Sequence, residues 1–228
     1  MTVSKNPEDI KKMFNKIASK YDFNNNIISL GLHKLIKRLA VSNLTLKNNM
    51  RILDECNGTG DIAYYLKKRN ANTDIIGVDF SEKMVEIARK KHPKITFLQE
   101  DCTKLPFTSN SFDIITMSFG LRNISDHKQA IKESFRVLED GGQLMHLDFG
   151  KKKFISQIFD FIVKKTIHLF YGNKLPYDYL VKSKNEFFTP ENLIREFESE
   201  GFILKKRKDY LFGIISMQIF EKSQTAYC

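Results

Sequence analysis

The chain has 228 residues, enough for one domain with a sizeable core, and its 42% hydrophobic and 12% aromatic content excludes intrinsic disorder. It has no apolar run near the roughly 18 residues of a membrane span, and its first residues lack a signal peptide's hydrophobic segment, so we expect a reducing cytoplasmic location. The formal net charge of +10 leaves nucleic acid, anionic membrane and acidic substrates open as partners.

The predicted elements fall into two regions with different hydrophobic patterns. Residues 7–46 show helical spacing of apolar side chains, which predicts N-terminal helices. From Met50 onwards, short apolar strands alternate with amphipathic helices. The predicted strands are Arg51–Glu55, Asp74–Asp79, Thr96–Gln99, Phe112–Ser118 and Gln143–Asp148, and the helices between them are Ile62–Asn70, Glu82–Lys91 and Lys128–Leu138. Such alternation is typical of a parallel sheet covered on both faces.

The tail of the chain has a different pattern. Phe202–Tyr210 and Phe212–Glu221 are predicted to form strands joined by a tight turn, an antiparallel hairpin that closes one sheet edge. Together the elements predict an α/β fold: a doubly wound, mostly parallel seven-stranded sheet, Rossmann-like, with N-terminal helices and a C-terminal hairpin.

Two of the predicted strand ends carry residues suited to a ligand. In a doubly wound sheet, ligands bind beyond the carboxyl ends of the strands. Gly58 and Gly60 follow the first strand, where glycine allows close approach to the backbone and the next helix N-terminus favours an anionic group. Asp79 ends the second strand and can accept hydrogen bonds from both hydroxyls of a ribose. Its alternative role as a helix N-cap is already filled by Ser81.

Two further strand ends extend the same pattern. Asp101 follows the third strand, where its carboxylate could take an adenine amino group, with Cys102 beside it, and Ser118 ends the fourth strand. Each feature alone is weak, and a Gly-Thr-Gly turn is often simple punctuation. In this order and spacing, however, they resemble the nucleoside-binding face of class I S-adenosylmethionine-dependent methyltransferases.

The residues after the fourth strand argue against a nucleic-acid base as methyl acceptor. Enzymes that methylate amino groups of bases carry an Asn/Asp-Pro-Pro-aromatic motif there, whereas this chain has Ser-Phe-Gly-Leu-Arg-Asn at residues 118–123. Enzymes that methylate carbon 5 of cytosine need a nucleophilic cysteine, usually after a proline. None of Cys56, Cys102 and Cys228 follows a proline, and their spacing indicates neither a disulfide framework nor a zinc site.

Four stretches narrow the resemblance to one family. They read MFNKIASKYDFNNNIISLGLHKLIKR, LDECNGTGD, LPFTSNSFDIITMSFGLRN and FRVLEDGG, and they closely resemble the ubiquinone/menaquinone biosynthesis C-methyltransferases. The similarity runs from about residue 13 to residue 218. It implies S-adenosylmethionine as cofactor, with contacts at Thr59, Asp79, Asp101, Cys102 and Ser118, of which all but Thr59 were already singled out by their place at a strand end. It also implies one domain over residues 1–228: a helical cap (1–49), a cofactor-binding core (50–150), an acceptor lid (151–200) and the hairpin (201–228).

The chain departs from the family pattern at several positions. Glu55 stands where an aliphatic residue is usual, and a carboxylate beside the pocket needs a partner or water. Asn57, Ile36, Asp140 and Gln218 also replace usual residues, and none of the five removes a residue assigned to the cofactor.

The resemblance implies methylation of a ring carbon of a prenylated quinol, closest to the conversion of demethylmenaquinol to menaquinol. Arg122 and Asn123 are the expected catalytic residues: the guanidinium would stabilise a developing phenolate and the amide would orient a hydroxyl. Arg122 could instead form a structural pair. His33 is a further candidate, as the base that removes the hydroxyl proton, because the ordinary pKa of histidine lies near neutrality. A lone histidine on a helix is, however, more often structural.

Several expectations concern what surrounds the site. Tyr21 and Asp22 are expected in a lid over the cofactor, and Tyr177 and Tyr179 in the acceptor pocket. Lys151–Lys174 has basic ends around an apolar middle. We expect it to be an interfacial helix that contacts anionic lipid on the inner face of the cytoplasmic membrane. The alternative is a core helix with solvated lysines. No metal is expected, because no His/Asp/Glu cluster has ligand spacing.

Some alternatives remain open from sequence alone. A benzoquinol acceptor is not distinguished from a naphthoquinol, and the oligomeric state cannot be read. A methyltransferase for a sterol or phenol, or a basic RNA-binding protein that keeps the fold, are the rival functions. The SFGLRN stretch at residues 118–123 counts against both, so no nucleic-acid partner is expected.

Overall fold

The computed structural model describes residues 6–150 and 183–223 of the chain. The helices are α1 (Pro7–Ile17), α2 (Tyr21–Ser29), α3 (Leu32–Val41), α4 (Asp61–Arg69), α5 (Glu82–Lys91), α6 (His127–Val137) and α7 (Pro190–Ser199). The strands are β1 (Arg51–Glu55), β2 (Asp74–Asp79), β3 (Thr96–Gln99), β4 (Phe112–Ser118), β5 (Leu138–Phe149), β6 (Phe202–Tyr210) and β7 (Ile215–Lys222). Short 3₁₀ turns cover Ala18–Lys20, Leu121–Asn123 and Leu211–Gly213.

The strands form one seven-stranded sheet in the order β3-β2-β1-β4-β5-β7-β6. The strands β1 to β5 are parallel, and β7 runs antiparallel between β5 and β6. The predicted fold class is therefore confirmed. The strand order reverses between β1 and β4, so the crevice between their carboxyl ends is where a ligand is expected.

The predicted boundaries differ from the structure mainly at two strands. The first four strands and β6 have the predicted bounds, but β5 begins at Leu138 instead of Gln143, because Leu138 pairs with Phe112 across an irregularity in the ladder. The last strand begins at Ile215 instead of Phe212, because a 3₁₀ turn precedes it. Non-local pairing thus sets the start of β5, and the turn sets the start of the last strand.

Strand β1 divides the core into two layers. Successive side chains of a strand point to opposite faces. Ile52 packs into the layer beneath α3 and α4, and Leu53 packs into the layer beneath α6 and α7. The next two residues continue the alternation: Asp54 accepts a hydrogen bond from the backbone of Ala63 in α4, and Glu55 meets Ser134 in α6. Two buried carboxyl groups thus face opposite layers.

The N-terminal helices are tied to the carboxyl edge of the sheet. Asn15 of α1 accepts hydrogen bonds from the hydroxyl of Ser81 (2.7 Å) and the backbone N–H of Lys83 (3.2 Å), at the start of α5. Ser81 also caps that helix by accepting from the N–H of Met84, as predicted. These contacts place α1 over the crevice.

Some expectations concern residues outside the described ranges. The segment Lys151–Lys174 and the side chains of Tyr177 and Tyr179 lie between residues 150 and 183. Within residues 6–150 and 183–223, no helix is long and apolar enough to cross a lipid bilayer.

The buried Glu55 has a hydrogen-bond arrangement that indicates a protonated carboxyl group. The hydroxyl of Ser134 lies 3.0 and 2.9 Å from the two carboxyl oxygens and 2.9 Å from the carbonyl of Ala130. One hydroxyl has one hydrogen, so the contacts are satisfied best when Ser134 donates to Ala130 and Glu55 donates to Ser134. Burial raises the pKa of Glu55 to about 8. Glu55 is therefore a neutral, hydrogen-bonded group instead of an unpaired charge, and it faces away from the crevice.

We expect Glu55→Gln to flatten the dependence of stability on pH. The native state of the wild type holds a proton that the unfolded state releases above its ordinary pKa of 4.5, so the free energy of unfolding falls as pH rises from there to about 8. The amide keeps a donor for Ser134 and has no charge to expose. Urea unfolding at pH 5.5 and pH 9 should show the variant gaining about 2–4 kcal/mol relative to wild type at the higher pH.

The matched control for this prediction is Glu86→Gln, which removes an exposed carboxylate paired with Lys83. The buried Asp54, whose pKa burial raises to about 7, is present in wild type and variant alike and cancels in their difference. Parallel stability curves for wild type and Glu55→Gln would contradict a protonated Glu55.

Candidate active site

Two adjoining cavities lie at the carboxyl ends of the central strands. The smaller cavity, of about 170 Å³, lies beside β2 and β3, and the larger cavity, of about 350 Å³, lies beneath α2 and α3. They share the following wall residues: Phe14, Tyr21, Cys56, Gly58, Ser118, Phe119 and Asn123. The arrangement offers two binding spaces that meet at one junction, which a group-transfer reaction between two molecules requires.

Most of the predicted cofactor residues are brought together around the smaller cavity. Gly58, Asp79, Asp101, Cys102 and Ser118 all line it. Thr59 lines the larger cavity instead. The sequence spacing of these residues therefore corresponds to a real convergence of strand ends.

The carboxylate of Asp79 is held at the wall by backbone hydrogen bonds. One oxygen accepts from the N–H of Gly58 (2.8 Å) and the other from the N–H of Ser81 (2.9 Å). Burial raises the pKa of Asp79, and these two bonds oppose that rise. Each carboxylate oxygen has two acceptor sites, so one site per oxygen remains for a ligand. That number matches the two hydroxyls of a ribose.

The two glycines of the turn have different roles. Gly58 adopts φ +55°, and a Cβ there would meet only the ring of Tyr21, at 4.0 Å, so the space beside it is open to a ligand. Gly60 adopts φ +86°, and a Cβ there would lie 2.9 Å from His92 and Phe97. Gly60 lines neither of the two cavities. Its role as a cofactor contact stays a prediction, and close packing against Phe97 is enough to account for the glycine.

Asp101 and the two cysteines form the far wall of the smaller cavity. Asp101 accepts hydrogen bonds from the backbone and the hydroxyl of Thr103, both at 2.8 Å. The sulfurs of Cys56 and Cys102 are 3.8 Å apart. The contact with Cys102 lowers the pKa of Cys56, but burial and nearby carboxylates raise it more, and the contact and burial together raise the pKa of Cys102 well above its usual value. Both are therefore neutral thiols and poor nucleophiles.

A charged network links α2 and α3 to the residues beside the larger cavity, which Thr59 and Lys37 line. Asp22 accepts from the hydroxyl of Thr59 (2.6 Å) and from Lys91 (2.7 Å). Asp61 pairs with Lys91 (3.3 Å) and with Lys37 of α3 (3.1 Å). Burial raises the pKa of Asp61, but the two lysines lower it by more. The pKa of Asp61 therefore lies well below its ordinary value. Tyr21, the neighbour of Asp22, lines both cavities, in keeping with the expected lid.

Arg122 lies in the wall of the larger cavity, where most of its charge is already compensated. It is 6% exposed, and its Nη1 donates to the carbonyl of Phe119 (2.6 Å) and to Oδ1 of Asp148 (2.9 Å). Its guanidinium also lies 5.2 Å from the ring centre of Phe149. The pairing alternative considered from sequence is thus present in the structure, alongside the placement at the cavity. The neighbouring Asn123 donates to the same carbonyl at 3.3 Å and lines both cavities.

The hydrogen bonds of His33 fix its tautomer. The hydroxyl of Ser29 donates its one hydrogen to the carbonyl of Asn25 (2.6 Å), so it must accept from Nδ1–H of His33, also at 2.6 Å. Burial, followed by the charge of Lys37, lowers the pKa of His33 to about 4. The ring is therefore neutral at physiological pH, with an unprotonated Nε2, and His33 lines the larger cavity.

Sequence reasoning missed several groups at the site. Asp148, Lys37, Lys91 and Asp61 give no local motif, since each acquires its role from a partner on another element. Asp54 was visible as the acid at the end of an apolar strand. Its carboxylate accepts from Thr116 (2.7 Å) in the register that pairs the two strands, and it lines the larger cavity.

Comparison with known proteins identifies relatives along nearly the whole chain. The model of the ubiE/COQ5 methyltransferase family matches residues 1–222. Demethylmenaquinone methyltransferase of Staphylococcus aureus (strain MRSA252) is 34% identical over 229 residues, covering 96% of this chain and 95% of that protein.

Solved structures support the fold. A SAM-dependent methyltransferase from Thermotoga maritima superposes with a TM-score of 0.70 at 24% identity, covering 94% of this chain and all (100%) of that one. A SAM-dependent methyltransferase from Aquifex aeolicus gives a TM-score of 0.65 at 20% identity, covering 91% and 97%.

The residues of the smaller cavity are suited to S-adenosylmethionine. Two carboxylates, Asp79 and Asp101, offer acceptors for ribose hydroxyls and an adenine amino group. Phe80 and Met84 give apolar walls, and Gly58 leaves the space that a side chain would fill. These acceptors and apolar walls match the adenosine part of that molecule.

We expect Asp79→Ala to weaken binding of S-adenosylhomocysteine about a hundredfold, since two hydroxyls lose a charged acceptor. The same carboxylate holds the Gly58 turn, so affinity alone would not separate the two roles. Calorimetric titration with the 2′,3′-dideoxy analogue does: wild type should prefer the natural ligand strongly, and the variant should bind both alike. Asp74→Ala, at the exposed start of the same strand, is the control. A variant that still prefers the natural ligand would show that Asp79 only holds the turn.

Proposed function

We propose that this chain, which belongs to the ubiE/COQ5 methyltransferase family, methylates a ring carbon of a prenylated quinol and converts demethylmenaquinol to menaquinol. The chain is an S-adenosylmethionine-dependent methyltransferase, and its family acts in quinone biosynthesis. The specific acceptor follows from the name of the Staphylococcus aureus relative. The observation that carries the proposal is the junction of the two cavities at Ser118, Phe119 and Asn123.

The larger cavity is suited to a lipid-like aromatic acceptor. Its wall is mostly apolar, with Phe14, Ile28, Ile36 and Phe149 among its lining residues. The polar lining groups include His33, Lys37, Asp54 and Arg122. A quinol has the same character, an apolar body with two hydroxyl groups. The comparisons support neither a sterol or phenol acceptor nor an RNA-binding role.

S-adenosylmethionine supplies a methyl group on a sulfonium, which is already a strong electrophile. The protein must align the acceptor carbon with it and help one hydroxyl of the acceptor to lose its proton, which makes the adjacent ring carbon nucleophilic. Gly58, Asp79, Asp101, Cys102 and Ser118 are the proposed cofactor contacts. Thr59 is proposed to act indirectly, by holding the lid through Asp22.

His33 is the proposed proton acceptor. Its unprotonated Nε2 belongs to a ring that lines the larger cavity, and Ser29 holds the other nitrogen. Arginine is a poor base because its ordinary pKa is above 12. Arg122 is therefore proposed to act electrostatically, with Asp148 fixing its orientation, and Asn123 to orient the acceptor hydroxyl.

The proposed function is tested by the quinones of cells that lack the protein. Accumulated demethylmenaquinone would support the naphthoquinol acceptor, and an accumulated demethylated benzoquinone precursor would shift the substrate within the same reaction class. An unchanged quinone profile in such cells would contradict the proposal.

We expect His33→Phe to lower kcat about a hundredfold without changing cofactor affinity, because the ring shape is kept and the proton acceptor is lost. In wild type the acidic limb of the kcat profile should lie below pH 6, since the imidazole stays neutral down to about pH 4. Added imidazole should partly restore the variant. A variant with wild-type kcat would assign His33 a structural role.

We expect Arg122→Met and Asp148→Asn to affect turnover differently. Both break a buried ion pair, so each should lower the free energy of unfolding by about 3–5 kcal/mol. If the guanidinium stabilises the developing phenolate, Arg122→Met should also lower kcat per folded molecule by about a hundredfold. Asp148→Asn should lower kcat much less, because its amide oxygen can still accept from Nη1 and orient the guanidinium. Equal kcat in the two variants, measured below their unfolding temperatures, would mean that the pair is structural.

A further inference from the structure

Two large apolar side chains project into solvent beside the larger cavity. Leu30 is 85% exposed and Phe212 is 82% exposed, the highest values among the large hydrophobic residues that the structure describes. Leu30 follows the last residue of α2, and Phe212 lies in the 3₁₀ turn between β6 and β7. Single exposed apolar residues are common, but near-complete exposure of two on the rim of one cavity is informative.

The backbone at both positions would favour a different residue. Leu30 has φ 49° and ψ 36°, and Phe212 has φ 56° and ψ 27°, both left-handed. Glycine or asparagine adopts this conformation easily, whereas bulky side chains are disfavoured there. Solvent exposure also favours a polar residue. Neither local backbone preference nor folding of the described chain explains a leucine and a phenylalanine at these tips.

Both tips adjoin the larger cavity. Leu30 itself lines it, and so does Leu211, the neighbour of Phe212. The α3 helix continues the apolar surface, with Leu32, Leu35 and Leu39 each 40–51% exposed at helical spacing. We call Leu30, Leu32, Leu35, Leu39 and Phe212 the apolar rim.

Basic side chains accompany the apolar rim. Lys34 and Arg38 are exposed on α3, which contains no acidic residue. Lys208 is two residues before the end of β6, and its Nζ lies 5.6 Å from the ring centre of Tyr210. Tyr210 directly precedes the 3₁₀ turn that carries Phe212. An apolar surface with cations beside it complements a lipid interface with anionic headgroups.

We propose that the apolar rim is the surface by which this protein docks on a phospholipid membrane that carries anionic lipid. The inference rests on the proposed function, because a polyprenylated acceptor resides in the bilayer. Docking through the rim places the mouth of the larger cavity at the lipid surface, so the acceptor ring can enter while its tail stays in lipid. The apolar rim contains no residue of Lys151–Lys174, the membrane contact expected from sequence, which lies outside the described residues.

The experiment is sedimentation of the full-length protein with vesicles of phosphatidylcholine and phosphatidylglycerol. Leu30→Asn and Phe212→Asn remove the apolar tips while keeping a residue suited to left-handed backbone. Each should lower vesicle affinity about tenfold, and Lys34→Gln with Arg38→Gln should lower it about fivefold per charge at low salt. The control is Ile203→Thr, 47% exposed near the opposite end of β6, which should bind like wild type. Cofactor affinity serves as the check of folding.

Any of four results would overturn the proposal. Unchanged vesicle affinity in the double variant Leu30→Asn/Phe212→Asn would place docking elsewhere, and loss on changing Lys151, Lys152 and Lys153 to Gln would place it on the segment expected from sequence. Absence of any vesicle binding by wild type would remove the membrane as partner. Lipid-free dimerisation that the double variant abolishes would make the rim a contact between two copies.

Turnover of a short-tailed, water-soluble demethylated naphthoquinol separates this inference from the proposed function. Phe212→Asn should methylate that acceptor as fast as wild type and lose rate only on vesicle-embedded acceptor. A wild type that methylates the soluble acceptor but ignores vesicles would overturn the docking surface alone. A wild type that binds vesicles through the rim but methylates no quinol would overturn the proposed function alone.

Discussion

The carboxylate of Asp79 accepts the backbone N–H groups of Gly58 and Ser81, and through these bonds it fixes the end of β1 against the start of α5. Ser81 in turn caps α5 and donates to Asn15 of α1. Asp79 and Ser81 together therefore position helix α1. The side chain of Asp79 thus joins the Gly58 turn, helix α5 and, through Ser81, helix α1 around the smaller cavity. A group that carries this geometry and also faces a ligand couples binding to local order, because anything that satisfies its remaining acceptor sites stabilises the whole arrangement.

The second feature on which the site depends is a set of charged contacts that joins α2 and α3 to the elements beside them. Asp22, Thr59, Lys91, Asp61 and Lys37 connect α2 and α3 to α4 and α5. Lys37 and Asp61 are largely shielded from solvent, so their attraction is screened less than that of a surface pair. Helices α2 and α3 are therefore held by directional contacts, while the part of the apolar rim at the end of α2 and along α3 remains exposed.

Proton positions around the larger cavity follow from burial. Burial raises the pKa of Asp54 and lowers that of His33, and the charge of Arg122 is compensated by Asp148. The cavity wall consequently carries little uncompensated charge at neutral pH. Such an environment suits the apolar quinol proposed as acceptor, and a phenolate formed from it there would depend on the few dipoles and cations already oriented towards it.

The sequence by itself determined the strands β1 to β4 and β6, the fold class, the Ser81 cap and the convergence of Gly58, Asp79, Asp101, Cys102 and Ser118, because strand periodicity and strand-end residues are local signals. It did not determine the partner of Arg122, which lies 26 residues away on β5, or the packing reason for Gly60. The starts of β5 and β7 and the tautomer of His33 were also beyond it. Only the tertiary structure decided these, because each depends on which side chain a distant element brings within hydrogen-bond or van der Waals distance.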